Sequence, residues 1–179
     1  MNALLTDDEI VALAQITSVP WAFPMLTVAD DERAITAAAF RGLRSLFARD
    51  LGTAEDPASS TISPEILALY MSAASSPRVA IAHVSVGDRP RIAGSCAIAF
   101  LHDAGVTLDK VSATGVHAIE VVEAAAARDA LLSLTRGWFD ASADSALPAE
   151  ASVLVTVSDG DRVARVTPGR VEIGHVDGS

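Results

Sequence analysis

Residues 91–122 read RIAGSCAIAFLHDAGVTLDKVSATGVHAIEVV, and this stretch decides the fold class. Its first half alternates. Ile92, Cys96, Ile98 and Phe100 fall on one face, and Ala93, Ser95, Ala97 and Ala99 on the other. A period of two with one larger-sided face is the pattern of a half-buried antiparallel strand. His102-Asp103-Ala104-Gly105 then supplies a turn, Val106–Val111 a further strand, Thr114-Gly115 a second turn and Val116–Val122 another strand. Just upstream, residues 78–86 are also β-rich, and Gly87-Asp88-Arg89-Pro90 separates them from the quoted stretch. Four consecutive strands joined by short turns predict a four-strand meander.

On the C-terminal side the period changes. Ala127, Leu131, Leu134 and Trp138 make a helical stripe over Glu123–Phe139. Residues 141–151 read as a polar linker that includes Leu147-Pro148. Residues 152–176 hold a three-strand extension: Ser152–Ser158, Arg162–Thr167 and Arg170–Val176, with hairpin turns at Asp159-Gly160 and Pro168-Gly169.

Helices dominate the N-terminal side. Thr6 and Glu9 have the spacing of a capping box, Leu5 and Ile10 that of a hydrophobic staple, and Asp7 and Asp8 suit a positive helix end. That helix should stop near Ile16, before Val19-Pro20. A second helix is expected from Asp30 to Leu51, with Gly52 as its C′ residue. Its inner face would be Ile35, Ala39, Gly42 and Leu46, with Phe40, Leu43 and Phe47 beside them, and Arg33, Arg41, Arg44 and Arg49 opposite. Residues 53–62 read as a loop. Ser63-Pro64-Glu65 opens a third helix that ends at Ser76-Pro77. Helices and strands are segregated, so the expected class is α+β: a mainly antiparallel sheet with N-terminal helices and one helix after the fourth strand. The whole of 1–179 is expected to be a single domain, with the helices, meander and following helix spanning 1–140.

Composition narrows the function classes. Half of the 179 residues are hydrophobic but only 4% are aromatic, so the core should be packed from Ala, Val, Leu and Ile. A net charge of −10 repels a phosphate backbone and an anionic membrane alike, which disfavours nucleic acid and membrane partners. Lys110 is the only lysine; an Arg- and Ala-rich composition of this kind suggests a GC-rich, actinobacterial genome. Cys96 is the only cysteine, so an intrachain disulfide is not expected. The opening residues lack the basic and long apolar segments of a leader, and the expected location is cytoplasmic.

Motifs for chemistry are sparse. None of His83, His102, His117 and His175 has a second ligand type at metal-binding spacing, so no metal is expected. Cys96 sits mid-strand, where a small buried hydrophobe is the ordinary reading. The acidic runs Asp7-Asp8-Glu9 and Asp30-Asp31-Glu32 fall at helix starts, where capping explains them better than acid–base work. There is no phosphate-binding Gly-rich loop, and neither catalytic residues nor a cofactor is expected. Trp21 and Phe23 stand in the proline-bounded segment Pro20–Pro24 and are candidate partner-binding anchors, although filling a gap between helices and sheet is the commoner role for such side chains.

The order of these elements over Leu4–Leu134 resembles the first half of EspG-type proteins, the cytosolic chaperones of actinobacterial type VII (ESX) secretion. The likeness rests on Leu5-Thr6-Asp7-Asp8-Glu9-Ile10, the proline-containing link Val19–Pro24, the helix closing in Arg41-Gly42-Leu43-Arg44-Ser45-Leu46, the Ser63-Pro64-Glu65-Ile66-Leu67 helix start, the meander and the Glu123–Leu134 helix. The resemblance implies a protein that binds the tip of a helical secretion substrate, without catalysis or cofactor. In that family the loop between the second and third strands touches the client. By strand order that loop is His102–Gly105 here, which makes His102 and Asp103 candidate contacts. The chain departs from the family where residues 152–176 stand in place of a second half, and this suggests a homodimer formed through the terminal strands. Two other readings stay open: an enzyme assembled from scattered residues such as His83, Asp109 and His117, and a sheet-lined binder of a small ligand.

Overall fold

Thr6 is both the last residue of one element and the cap of the next. The computed structural model describes residues 1–23, 25–54, 60–86, 95–103, 105–143, 151–157, 162–167 and 170–175, and the side chains of these except residues 54, 60, 84–86, 135–143 and those from 151 onward. The turns expected at Gly87–Pro90, Asp159-Gly160 and Pro168-Gly169 and the core role of the Trp138 side chain lie outside the described residues. Of the linker expected at 141–151, residues 141–143 are helical and Ala151 opens a strand, and 144–150 lie outside the described residues. The fold is α+β, and the chain divides into two units, residues 1–75 with 114–120, and residues 76–113 with 121–179.

In the first unit, β1 (Asn2–Thr6) pairs antiparallel with β7 (Val116–Val122), from Asn2↔Glu120 to Thr6↔Val116. The sequence pattern did not announce β1. Five residues are too few for an alternation to stand out, although Leu4 faces outward at 58% exposure and Leu5 is buried. Thr6 then caps α1 (Asp7–Thr17). Its Oγ1 accepts from the Glu9 amide at 3.3 Å, and Glu9 Oε2 accepts from the Thr6 amide at 2.8 Å, which completes the expected capping box. Leu5 and Ile10, the staple pair, are buried in one cluster with Leu13, Leu46, Leu69, Tyr70 and Ile119.

The second helix, α2, is shorter than expected at Glu32–Ala48, because Asp31 takes the N-cap and accepts from the Ala34 amide at 2.8 Å. Gly52 is not its left-handed terminator. Asp50 adopts that conformation (φ 57°), which an Asp tolerates better than most residues, and Gly52 opens β2 (Gly52–Ala54). This strand pairs with β3 (Ser60–Ile62), so short strands occupy part of the segment expected to be loop. At the start of α3 (Pro64–Ala74) Pro64 fills the first turn as expected, but the Ser63 hydroxyl donates to Glu65 Oε2 at 2.6 Å instead of capping a backbone amide.

The inner face of α2 is centred on Gly42 and Leu46 as expected, with Ala38 buried beside them and Ile35 and Ala39 half-buried. Phe40, expected beside that face, is instead 67% exposed. Gly42 fixes this orientation. A Cβ there would run into the Asp8 carbonyl and the Glu9 amide nitrogen, so the two helix backbones meet at this residue. Close backbone approach through a hydrogen side chain fixes which stripe of α2 turns inward.

In the second unit β4 (Arg78–Val86), β5 (Cys96–His102) and β6 (Gly105–Val111) are antiparallel neighbours. The free edge of β4 takes β8 (Ala151–Val157), which leads to β9 (Arg162–Thr167) and β10 (Arg170–His175) in hairpin order. The terminal strands therefore continue the sheet beside β4. Helix α4 (Ala124–Ala143) contacts the sheet through Ala127, which packs with Ala99, Val106 and Leu108, and with Ala80 beside them. Cys96, Ala97, Ile98, Ala99 and Phe100 are all buried, so β5 is covered on both faces instead of half-exposed. The alanines on one face are the small side chains that allow a helix to lie close.

Gly42→Ala should destabilise the fold by about 3 kcal/mol despite its better helix propensity, because the α1–α2 crossing has no room for a methyl group. Urea unfolding monitored by circular dichroism checks this; an unchanged midpoint would refute the close-approach argument.

Candidate functional site

The acidic start of α1 does more than complement a helix end. Asp7, at the first helical position, is 1% exposed. His117 Nε2 on β7 donates to its Oδ1 at 2.8 Å, and the Thr27 amide (2.6 Å) and hydroxyl (2.7 Å) donate to its Oδ2. The Asp7 amide in turn donates to the Gly115 carbonyl at 2.9 Å. Gly115 has φ 70°, and a Cβ on it would overlap the Asp7 carboxylate, so glycine is required on both counts. Burial pushes the Asp7 carboxyl up, but the bonds from His117 and Thr27, together with the His117 charge, outweigh burial and hold it below the ordinary 3.8.

Asp8 pairs with Arg41 through two contacts of 2.7 and 2.8 Å. Glu9, fully buried, accepts from Arg49 Nη1 at 2.8 and 2.9 Å and from the Ser45 hydroxyl at 2.7 Å. Arg41 and Arg49, expected on the outer side of α2, therefore reach back to α1. A buried carboxylate without a partner is costly, and these pairings remove that cost.

Residues 18–23 and 25–31 lead from α1 to α2, and they are pinned in two places. The Tyr70 hydroxyl donates to the Val19 carbonyl at 2.6 Å, and Thr27 is held by Asp7. Burial pushes the Tyr70 phenol up to about 12, so it stays a donor throughout the physiological range. The Trp21 ring lies between these anchors, 5.5 Å from Tyr70 at 32° and 6.0 Å edge-on from His117. Outside it is an open hollow of about 460 Å³, lined mainly by Val11, Ala14, Trp21, Phe23, Val28 and Ile35. Along the other side of α1 runs a groove of about 260 Å³ between Ala12, Gln15 and Ile16 of α1 and Ala39, Phe40 and Leu43 of α2. No charged side chain lines this groove. Ile16 is 47% exposed, so both it and Phe40 are large apolar side chains open to solvent beside this groove.

Of the residues singled out from sequence, Trp21 and Phe23 belong to the first unit. Trp21 packs partly into the core and both line the hollow, so they combine the gap-filling role with a share of an open surface. His102 and Asp103 belong to the second unit. His102 ends β5, paired with Gly105, and its Nε2 lies 3.4 Å from Thr107 Oγ1. The Asp103 side chain is fully exposed, 3.9 Å from Arg78. His83 is paired with Cys96 and Asp109 with Ile98, in the second unit, whereas His117 belongs to the first. Among the described residues no three His, Cys, Asp or Glu side chains gather into a metal-sized group, and no helix is long and apolar enough to cross a membrane.

The Asp7–His117 pair has the composition of an acid–base dyad, yet both side chains are at most 2% exposed. A general base must reach its proton directly or through one water, and this pair is sealed beneath Trp21 and Thr27. Its role in this geometry is to hold Thr27 against the start of α1. Sequence reasoning missed this pair, the Glu9–Arg49 pair and the exposed Phe40. The only local signal was that Arg33, Phe40 and Arg44, at seven- and four-residue spacing, share one outer stripe of α2. Comparison with protein-family models gives no match, and neither does comparison with curated proteins.

A group whose folded pKa is depressed contributes stability above its unfolded value and loses it as pH falls through the folded one. Asp7→Asn should therefore cost stability at pH 7, and the gap from wild type should narrow as pH drops below about 4. His117→Ala should cost about 3 kcal/mol at pH 7 and raise Trp21 mobility, because it leaves a buried carboxylate with only the Thr27 donors. Denaturant titrations between pH 3 and 7 check both; a gap for Asp7→Asn that does not change with pH would contradict the linkage.

Proposed function

We propose that this chain is a non-catalytic protein-binding module that docks an apolar helical segment along the α1–α2 groove, as a cytosolic chaperone or adaptor for type VII secretion substrates would. One observation carries the reading. Phe40 and Ile16 stand 67% and 47% exposed on either side of an uncharged groove, while the carboxylates of the same helix start are committed to structural pairs. Exposed large apolar residues grouped on one helix pair are the usual mark of a partner surface. The resemblance of the sequence's helix and meander order to that of EspG-type chaperones supports the secretion form of this reading. The groove, on α1 and α2, is a different place from the strand loop that the family resemblance suggested.

A second reading is favoured by the hollow beside Trp21 and Phe23. Its volume of about 460 Å³ lies within the range of small-molecule pockets, and Gln15 and Asp30 supply polar groups on an otherwise apolar lining. A small apolar ligand with one donor group would suit it.

A photo-crosslinking amino acid at position 40, expressed in native cells, separates these readings. The expected result is one discrete protein adduct that Ile16→Asp suppresses and that the same probe at Ser133 does not form. Ser133 is an exposed position on α4. Phe40→Asp should change stability by no more than about 0.5 kcal/mol, since the ring is mostly in solvent. Absence of any adduct at position 40 would overturn the protein-binding reading.

A further inference from the structure

The α1–α2 groove has two electrically different ends. Gly42 lies against Asp8 near the start of α1, whereas Thr36 and Ala39 line the groove with Ile16 near its end. The two helices are therefore antiparallel. At the end where α1 stops and α2 starts, Asp30, Asp31 and Glu32 are exposed and only Arg33 offsets them. At the other end Arg41 neutralises Asp8 and Arg49 neutralises Glu9. Arg44 and Asp50 are exposed there, one charge of each sign, so this end is near neutral, and Arg44 is in no ion pair among the described residues. Between the ends the groove walls carry no charge, and Gln15 offers the only amide side chain.

This surface constrains its occupant. A strand or loop lying on uncharged walls would leave its backbone groups without partners, whereas a helix satisfies its own. A helix also carries partial positive charge at its N-terminus and partial negative charge at its C-terminus. Resting on the protein-binding reading, we propose that the groove takes an amphipathic helix that runs parallel to α2, with basic residues at its N-terminal end over Asp30–Glu32 and an acidic or uncharged C-terminal end beside Arg44. Both the side-chain charges and the helix dipole of such an occupant match the groove. Its apolar stripe, at three- and four-residue spacing, would rest on Ile16, Ala39, Phe40 and Leu43.

Two stapled helical peptides of identical composition test this, each with a leucine stripe. One carries two Lys at its N-terminal end and two Glu at its C-terminal end; the other has the charges exchanged. Stapling equalises their helicity, which circular dichroism verifies. Fluorescence anisotropy against the full chain should show the Lys-first peptide binding roughly five- to tenfold tighter at low salt. The difference should shrink in 0.5 M salt (about a 4 Å screening length). Asp30→Lys with Glu32→Lys should reverse the preference, and Phe40→Asp should abolish binding of both peptides. Equal affinities, the opposite preference, no binding by either peptide, or binding that survives Phe40→Asp would overturn the proposal. If position 40 still crosslinks to a protein in cells in any of these cases, the docking reading stands and only the assigned polarity and occupant fall.

Discussion

The first turn of α1 places three carboxylates where water cannot serve two of them. Asp7 and Glu9 are at most 1% exposed, and an ionised carboxylate at that depth must be met by donors from elsewhere in the chain. Each set of donors comes from a different element. His117 ties β7 to the helix start, Thr27 ties down the segment between α1 and α2, and Arg49 with Ser45 ties the end of α2. The apolar cluster around Leu13, Leu69 and Tyr70 supplies the driving force for collapse. The carboxylates supply the direction, because a hydrogen-bonded ion pair tolerates far less displacement than an apolar contact.

Two glycines make that arrangement possible. Gly42 lets the backbones of α1 and α2 meet, which keeps Asp8 and Glu9 within reach of Arg41 and Arg49. Gly115 turns with positive φ directly beneath the Asp7 carboxylate and returns its own carbonyl to the Asp7 amide. The same close crossing has a consequence on the outside. By turning Ala38, Gly42 and Leu46 inward it leaves Phe40 on the outer side, next to Ile16. The proposed docking groove is thus a by-product of how the polar anchors orient α2.

Much of the architecture was legible from local patterns. The meander, the helix after it, the terminal strands and the α1 cap all involve residues a few positions apart, where periodicity and turn chemistry speak directly. β1 was not legible, because a five-residue edge segment has no periodicity to show and owes its conformation to pairing with residues more than a hundred positions away. The candidate site was less legible still. Trp21 and Phe23 stood out as large side chains in an irregular segment, and they do line a hollow. Phe40 did not stand out, since a phenylalanine within a helical apolar pattern ordinarily turns inward.

The amino-acid sequence by itself determined the α+β class, the four helices, the strands from β4 onward and the capping box at Thr6 and Glu9, because each rests on interactions within one or two turns of chain. Only the tertiary structure decided that Asp7, Asp8 and Glu9 are anchors as well as caps. Their partners lie 20 to 110 residues away (Thr27, Arg41, Arg49 and His117), and no local pattern encodes which cation or imidazole will arrive. It also decided which stripe of α2 faces solvent. That choice turns on a single missing methyl group at Gly42, whose effect is felt only once two helices are pressed together.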